Sequence, residues 1–261
     1  MTGAANEAMP HALDLRVARF AIYYAPPAGS CWWNEGSRWL GRDALARREL
    51  SAPNVPGLSR SLSALTADPR RYGLHATLKA PMRLAPQRRL RDLTDIAEAV
   101  AARHTSFDLA VQADVIGADN GERAGFVALR PRTGSAGNIA SDAANTAAIN
   151  ALAADCVEAF DVLRAPLDDA DMAKRQPASL TSRQRERLAQ WGYPYVFDEF
   201  RFHVTLSDRV DRADARVMID WWQPRAQALG PMRVDSLAIF VQPTPDEPFH
   251  VFARFAFGKA A

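Results

Sequence analysis

Two short segments, Leu74-His75-Ala76-Thr77-Leu78 and Phe202-His203-Val204-Thr205-Leu206, constrain this chain more than any other feature. Polar and apolar residues alternate in both, which is the period of an extended strand with one buried face. His75, Thr77 and Lys79 then share one side of the first strand, and Leu74, Ala76, Leu78 and Ala80 go to the core. In the second, Arg201, His203, Thr205 and Ser207 share one face over Phe202, Val204 and Leu206. Each strand offers an imidazole and a hydroxyl about 7 Å apart. If the two strands face each other, the imidazoles converge.

The rest of the chain alternates strand-like and helix-like segments. Arg16 to Tyr24 reads as a buried strand stopped by Pro26-Pro27. Leu74 to Arg83, Arg201 to Arg209, Val234 to Val241 and His250 to Phe257 read as further strands. Phe107 to Ile116 and Gly125 to Arg130 read as paired strands around an Asp119-Asn120-Gly121 turn. Helices are predicted over Arg89 to His104, which places Leu90, Leu93, Ile96, Ala97 and Val100 on one face, and over Ala143 to Leu163 and Ala213 to Leu229. The stretch 167–190 is polar and irregularly helical, with Thr181 capping Arg183 to Leu188. Residues 132–141 are Gly/Ser-rich and predict a loop. The fold class is α+β or α/β, with antiparallel sheets covered by helices. A second echo links Phe20-Ala21-Ile22-Tyr23-Tyr24-Ala25-Pro26 with Leu237-Ala238-Ile239-Phe240-Val241-Gln242-Pro243. Its offset differs from that of the histidine segments, which excludes a tandem array. Two lobes facing across a groove, with both chain ends sharing lobes, would account for both echoes.

Charge narrows the partners. The 261 residues carry 32 Lys plus Arg against 30 Asp plus Glu, a net charge of +2. That balance does not suit a protein coating long nucleic acid, whereas an Arg-rich cation set suits small anionic ligands. Cys31 and Cys156 stand apart from any metal-type spacing and read as reduced thiols of a cytoplasmic protein. No apolar run is long enough for a membrane span. Residues 1–14 read as a flexible leader without a signal-peptide pattern, ahead of a single domain over 15–261.

The histidine pair points to phosphodiester chemistry. Cleavage needs one group to take a proton from the attacking oxygen and another to protonate the leaving oxygen. Two imidazoles with ordinary pKa near 6.5 suit both tasks near neutral pH. Thr77 and Thr205 can donate to non-bridging phosphate oxygens, and Lys79 and Arg201 can compensate charge. No metal-ligand set and no Gly-rich phosphate loop is present, so neither a metal nor a cofactor is expected.

These segments resemble the two-histidine (2H) phosphoesterase superfamily, which includes RNA 2′,3′-cyclic and tRNA-splicing cyclic phosphodiesterases. Flanking words are similar to its bacterial branch associated with phosphonate utilisation: Phe20-Ala-Ile-Tyr-Tyr-Ala-Pro, Trp39-Leu-Gly-Arg-Asp43, Tyr72-Gly-Leu-His-Ala-Thr-Leu-Lys-Ala-Pro81, Trp191-Gly-Tyr-Pro-Tyr195 and Phe200-Arg-Phe-His-Val-Thr-Leu206. The resemblance implies a bilobal, pseudo-twofold α+β fold with two antiparallel-rich sheets facing a central groove. It implies metal-independent cleavage of a small cyclic phosphate, with His75 and His203 catalytic and Thr77 and Thr205 on the phosphate. For this branch it implies a ribosyl cyclic phosphate. The Ala-rich insert at 132–165 departs from the minimal pattern and leaves the groove's shape open.

Other residues have two readings. Tyr72, Tyr193 and Tyr195 either contact substrate or pack as half-buried aromatics, and Tyr23 faces either groove or core. Lys79 and Arg201 are alternatively solvated strand charges. His250 reads as structural or surface, His104 as a helix C-terminal cation, and Trp32, Trp33 and Trp39 as core. Rival functions are RNA cyclic-end processing and non-catalytic binding of a nucleotide or RNA end.

Overall fold

A computed structural model describes residues 13–117, 123–132, 139–175 and 180–258. Eleven strands and eight helices are found among them. In chain order they are β1 (Arg19–Tyr24), α1 (Cys31–Leu40), β2 (Arg42–Asp43), β3 (Arg48–Glu49), α2 (Leu62–Leu65), α3 (Ala67–Tyr72), β4 (Ala76–Met82), α4 (Leu90–Arg103), β5 (Phe107–Leu109), β6 (Val111–Ile116), β7 (Arg123–Pro131), α5 (Ile139–Asp161), α6 (Asp169–Arg175), α7 (Ser182–Trp191), β8 (Val204–Asp211), α8 (Arg212–Leu229), β9 (Met232–Val234), β10 (Ser236–Gln242) and β11 (His250–Ala256).

The larger sheet runs β11-β10-β1-β4 and the smaller β6-β7-β8. All their pairings are antiparallel. The class is therefore α+β with open antiparallel sheets. Every residue of β10 is buried, as are Phe20 to Tyr24 of β1, because both strands are flanked by neighbours and covered on both faces. Alternation then splits them. Phe20, Ile22, Leu237 and Ile239 join the main apolar cluster, whereas Ala21, Tyr23, Ala238 and Phe240 join a smaller one with Phe249 and Trp33. The three tryptophans of the 32–39 stretch are core, as the sequence suggests.

The two histidine strands occupy edges of different sheets: β4 beside β1, β8 beside β7. Both begin later than predicted. His75 and His203 each stand one residue before the first ladder residue. Beneath them, Leu74 and Phe202 are 1 % and 3 % exposed, and burying such side chains contributes about 2 kcal/mol each. Leu74 is seated against Gly36 of α1, where a Cβ would meet its methyl groups at 2.4 Å.

Several sequence expectations need correction. The outer echo does not mark equivalent strands of two lobes: β1 and β10 are neighbours in one sheet, with Ile22 opposite Ile239. Their likeness reflects shared burial on both faces. Phe107 to Ile116 is two strands, because β5 pairs with β9 and β6 with β7. Val234 to Val241 likewise divides into the end of β9 and β10. Helix α5 starts at Ile139 rather than Ala143. Its buried Ile149, Leu152, Ala153, Cys156, Val157 and Phe160 follow helical spacing and pack it on β4 and α4. The Thr181 cap is as expected, closing a box with Gln184. The Asp119-Asn120-Gly121 turn, most of the Gly/Ser-rich loop and residues 1–12 of the leader lie outside the described residues.

Candidate active site

A cleft runs between the two histidine strands. One half, of about 650 Å³, is lined by His75, Thr77, Thr205, Tyr23 and Tyr72. The other, of about 510 Å³, is lined by His203, Thr77, Arg201 and Tyr195. Thr77, Ala80, Phe126, Tyr193 and Arg209 border both halves, so the two halves adjoin. Their size suits a small ligand.

The two imidazoles are held alike. His75 Nδ1 lies 2.9 Å from the Gly73 carbonyl oxygen, and His203 Nδ1 lies 2.7 Å from that of Arg201. Each ring thus bonds the carbonyl two residues before it. A carbonyl only accepts, so each Nδ1 carries a proton and each neutral ring has its lone pair on Nε2. That nitrogen can take a proton or, once protonated, give one.

Their surroundings differ. His75 is stacked by Tyr23 at 3.9 Å between ring centroids, with Tyr72 at 5.8 Å and Phe240 at 6.3 Å. Burial pushes the His75 imidazole down to about 4, against the opposing Gly73 hydrogen bond and with a further push from His203. His203 has Phe126 at 5.7 Å. Burial lowers it too, opposed by the Arg201 carbonyl and aided by Arg130. Both rings are therefore mainly neutral near pH 7.

The structure brings together His75, His203, Thr77, Thr205, Tyr23, Tyr72, Tyr195 and Arg201 around this space. Tyr23 belongs to the smaller core cluster and also backs His75, so both of its readings hold. Tyr72 stacks on Phe249 at 5.1 Å. Tyr195 is 42 % exposed and meets Tyr193 edge-on. Arg201 Nη1 donates to the Asp198 and Phe200 carbonyls at 2.6 and 2.7 Å, holding its own loop.

Lys79 departs from the expected face. The β1–β4 ladder shifts register twice, between Phe20 and Ile22 and again between Ile22 and Tyr23, which breaks strict alternation. Lys79 is buried, and its ammonium donates to the Val157 carbonyl at 3.0 Å and to Asp161 at 3.1 Å on α5. It borders the His203 half alone, not the His75 half. The insert therefore supplies a wall of the cleft.

Sequence reading missed Arg209, Phe126 and Arg164. Arg209 follows from extending the His203-Thr205-Ser207 alternation by one step, and it donates to the Gly117 carbonyl at 2.9 Å. Of the remaining histidines, His250 is buried on β11 rather than at the surface. Burial, then Arg47 and Arg42, lower it to about 4. His104 caps α4 and lies 2.9 Å from Asp155. Among the described residues no group of three or more His, Cys, Asp or Glu is placed to hold a metal ion, and no helix is long and apolar enough to cross a membrane.

Residues 77–250 match the family described as "Protein of unknown function (DUF1045)". A protein of Janthinobacterium sp. (strain Marseille) named ribose 1,5-bisphosphate phosphokinase PhnN is 37% identical over 248 residues, 92% of this chain and 51% of that protein. A protein of Laribacter hongkongensis (strain HLHK9) with the same name is 34% identical over 237 residues, 89% of this chain and 50% of that protein. The chain thus spans about half the length of these curated relatives.

Proposed function

The chain belongs to the DUF1045 family, and from that premise and the cleft's geometry we propose that it is a 2H-type phosphodiesterase that opens a small cyclic phosphate with His75 and His203. The observation that carries this reading is the matched setting of the two rings. Each stands one residue ahead of a strand, gives Nδ1–H to the carbonyl two residues back, and borders one of the two adjoining halves of the cleft.

In the reaction, one neutral Nε2 takes a proton from water as the water oxygen bonds to phosphorus. The other, protonated, gives its proton to the leaving sugar oxygen as the P–O bond breaks. One water is consumed and a phosphomonoester with a free hydroxyl results. The lowered basicity of both rings fits this cycle. A bound phosphodiester anion favours the imidazolium, so substrate brings back the one proton that general-acid catalysis needs. Each proton transfer contributes on the order of 10²–10⁴ in rate. Thr77 and Thr205 donate to the phosphorus-bound oxygens, and no metal takes part.

A ribosyl cyclic phosphate is the substrate class favoured, in keeping with the phosphonate-associated branch that the flanking words resemble. The relatives' name also supports it. A 1,2-cyclic phosphate on ribose 5-phosphate, opened at the 2-oxygen, gives ribose 1,5-bisphosphate, which that name identifies as a kinase substrate. We assign the kinase activity to the unmatched half of those proteins, since this chain carries no Gly-rich phosphate loop. A nucleoside cyclic phosphate is the second reading, favoured by the Tyr193–Tyr195 aromatic wall beside His203. The test is phosphorus NMR of both substrates with EDTA present. The reading predicts conversion to a monoester by the wild type. Activity abolished by EDTA and restored by a divalent ion would overturn it.

A further inference from the structure

We propose that the floor of the His203 half of the cleft is a second anion subsite, built by Lys79 and Arg164, that holds a phosphomonoester carried elsewhere on the substrate. This rests on the cyclic-phosphodiesterase reading and specifies its substrate as a sugar with two phosphates.

The Lys79 side chain is only 4 % exposed, and its ion-pair partner Asp161 is shared. Arg164 donates to the same carboxylate through Nε at 2.8 Å and Nη2 at 3.3 Å. Two cations thus divide one anion, leaving an excess positive charge in a poorly solvated place. Such a charge is costly unless something answers it. Protein dipoles answer part: the Val157 carbonyl accepts from Lys79, and the Gln190 carbonyl from Arg164 at 3.0 Å. One Lys79 proton and the Arg164 Nη1 group have no partner among the described residues. Both residues border the cleft. Glu199 is a second carboxylate in the same half, bonded only by the neutral Gln184 amide at 3.1 Å, but the cations Lys79, Arg164, Arg201 and Arg209 there outnumber Glu199 and Asp161.

Placement agrees. Thr77 borders both halves of the cleft, and Lys79 and Arg164 border the His203 half with it. A diester at His75, Thr77 and His203 would therefore set a phosphate from the far end of the sugar near Lys79. The site also carries a local accommodation. Gly192 ends α7 with φ +73, and a Cβ there would come within 3.1–3.2 Å of Arg164 Cδ, Nε and Nη1. The chain turns at a glycine where the guanidinium passes.

Calorimetric titration with ribose 5-phosphate and with ribose tests the subsite without requiring turnover. Ribose 5-phosphate should bind the wild type at least about 10-fold more tightly than ribose. That preference should fall by about 10-fold or more in Lys79→Met and in Arg164→Gln, because a charge-assisted hydrogen bond is lost in each. Arg164→Gln carries the test should Lys79→Met fail to fold. Equal binding of the two sugars by the wild type, or an unchanged preference in the folded variants, overturns the proposal. The kinetic arm compares kcat/KM for ribose 1,2-cyclic phosphate with and without a 5-phosphate. A wild-type ratio of about 100 that collapses below about 10 in the variants supports the subsite. A ratio near one sinks it while leaving the cyclic-phosphodiesterase reading intact. No turnover of either sinks that reading instead, and the calorimetry then decides the subsite.

Discussion

The His75 and His203 loops make the same hydrogen bond with different backbones. At His75 the accepting carbonyl belongs to Gly73, whose φ of +77 with ψ of −177 is a conformation open essentially to glycine alone. A Cβ there would meet that of Ala44 at 2.5 Å. At His203 the carbonyl belongs to Arg201, which needs no glycine and spends its guanidinium bracing the same loop. The first imidazole is further enclosed by Tyr23, Tyr72 and Phe240, and the second rests on Phe126. One chemical requirement, a fixed Nδ1–H tautomer, is thus met once by backbone shape and packing and once by a side-chain brace.

The largest effect expected is symmetric. His75→Ala and His203→Ala should each lower kcat by about 10²-fold or more, read with a ribosyl cyclic phosphate. A variant retaining near-normal turnover would break the equivalence of the two rings. The next effect is asymmetric. Gly73→Ala should cost about 1–3 kcal/mol in urea unfolding and lower activity with it. Arg201→Ala should stay within about 0.5 kcal/mol of the wild type in stability. Equal costs would show that the loops are built alike. Thr77→Val and Thr205→Val should each reduce kcat about 10-fold with little change in stability, as expected for one donor lost from the phosphate.

The pH dependence sharpens the comparison at the smallest scale. His75 and His250 are held near 4 in the folded chain, against about 6.5 when unfolded. Between those values the unfolded chain binds protons that the folded chain does not. Stability should be at its full value above about 6.5 and fall as pH drops toward 4. His75→Gln should flatten part of that slope in a urea titration series. Tyr23→Leu should move the His75 limb of the pH–rate profile upward, by opening its surroundings to water, while Phe126→Leu leaves that limb in place.

Much of this was legible in the sequence where the physics is local. Alternation placed His75 and Thr77, and His203 and Thr205, on common faces, and the Thr181 cap and the α4 apolar stripe followed from spacing. Lys79 was not legible, because the register shifts that bury it depend on how β1 pairs with β4. Arg164 sits after the end of an Ala-rich helix with no motif to mark it, and becomes visible only when α5 lies across β4. The β1–β10 echo misled for a physical reason. Strands buried on both faces converge in composition whether they are symmetry equivalents or neighbours.

The central claim is that His75 and His203 act as a pair on one phosphorus atom. Its most direct test is phosphorus NMR of ribose 1,2-cyclic phosphate 5-phosphate incubated, with EDTA present, with the wild type and with each single His→Ala variant. The account predicts conversion of the cyclic diester to a monoester by the wild type and at least about 100-fold slower conversion by both variants. Undiminished conversion by either variant would contradict it.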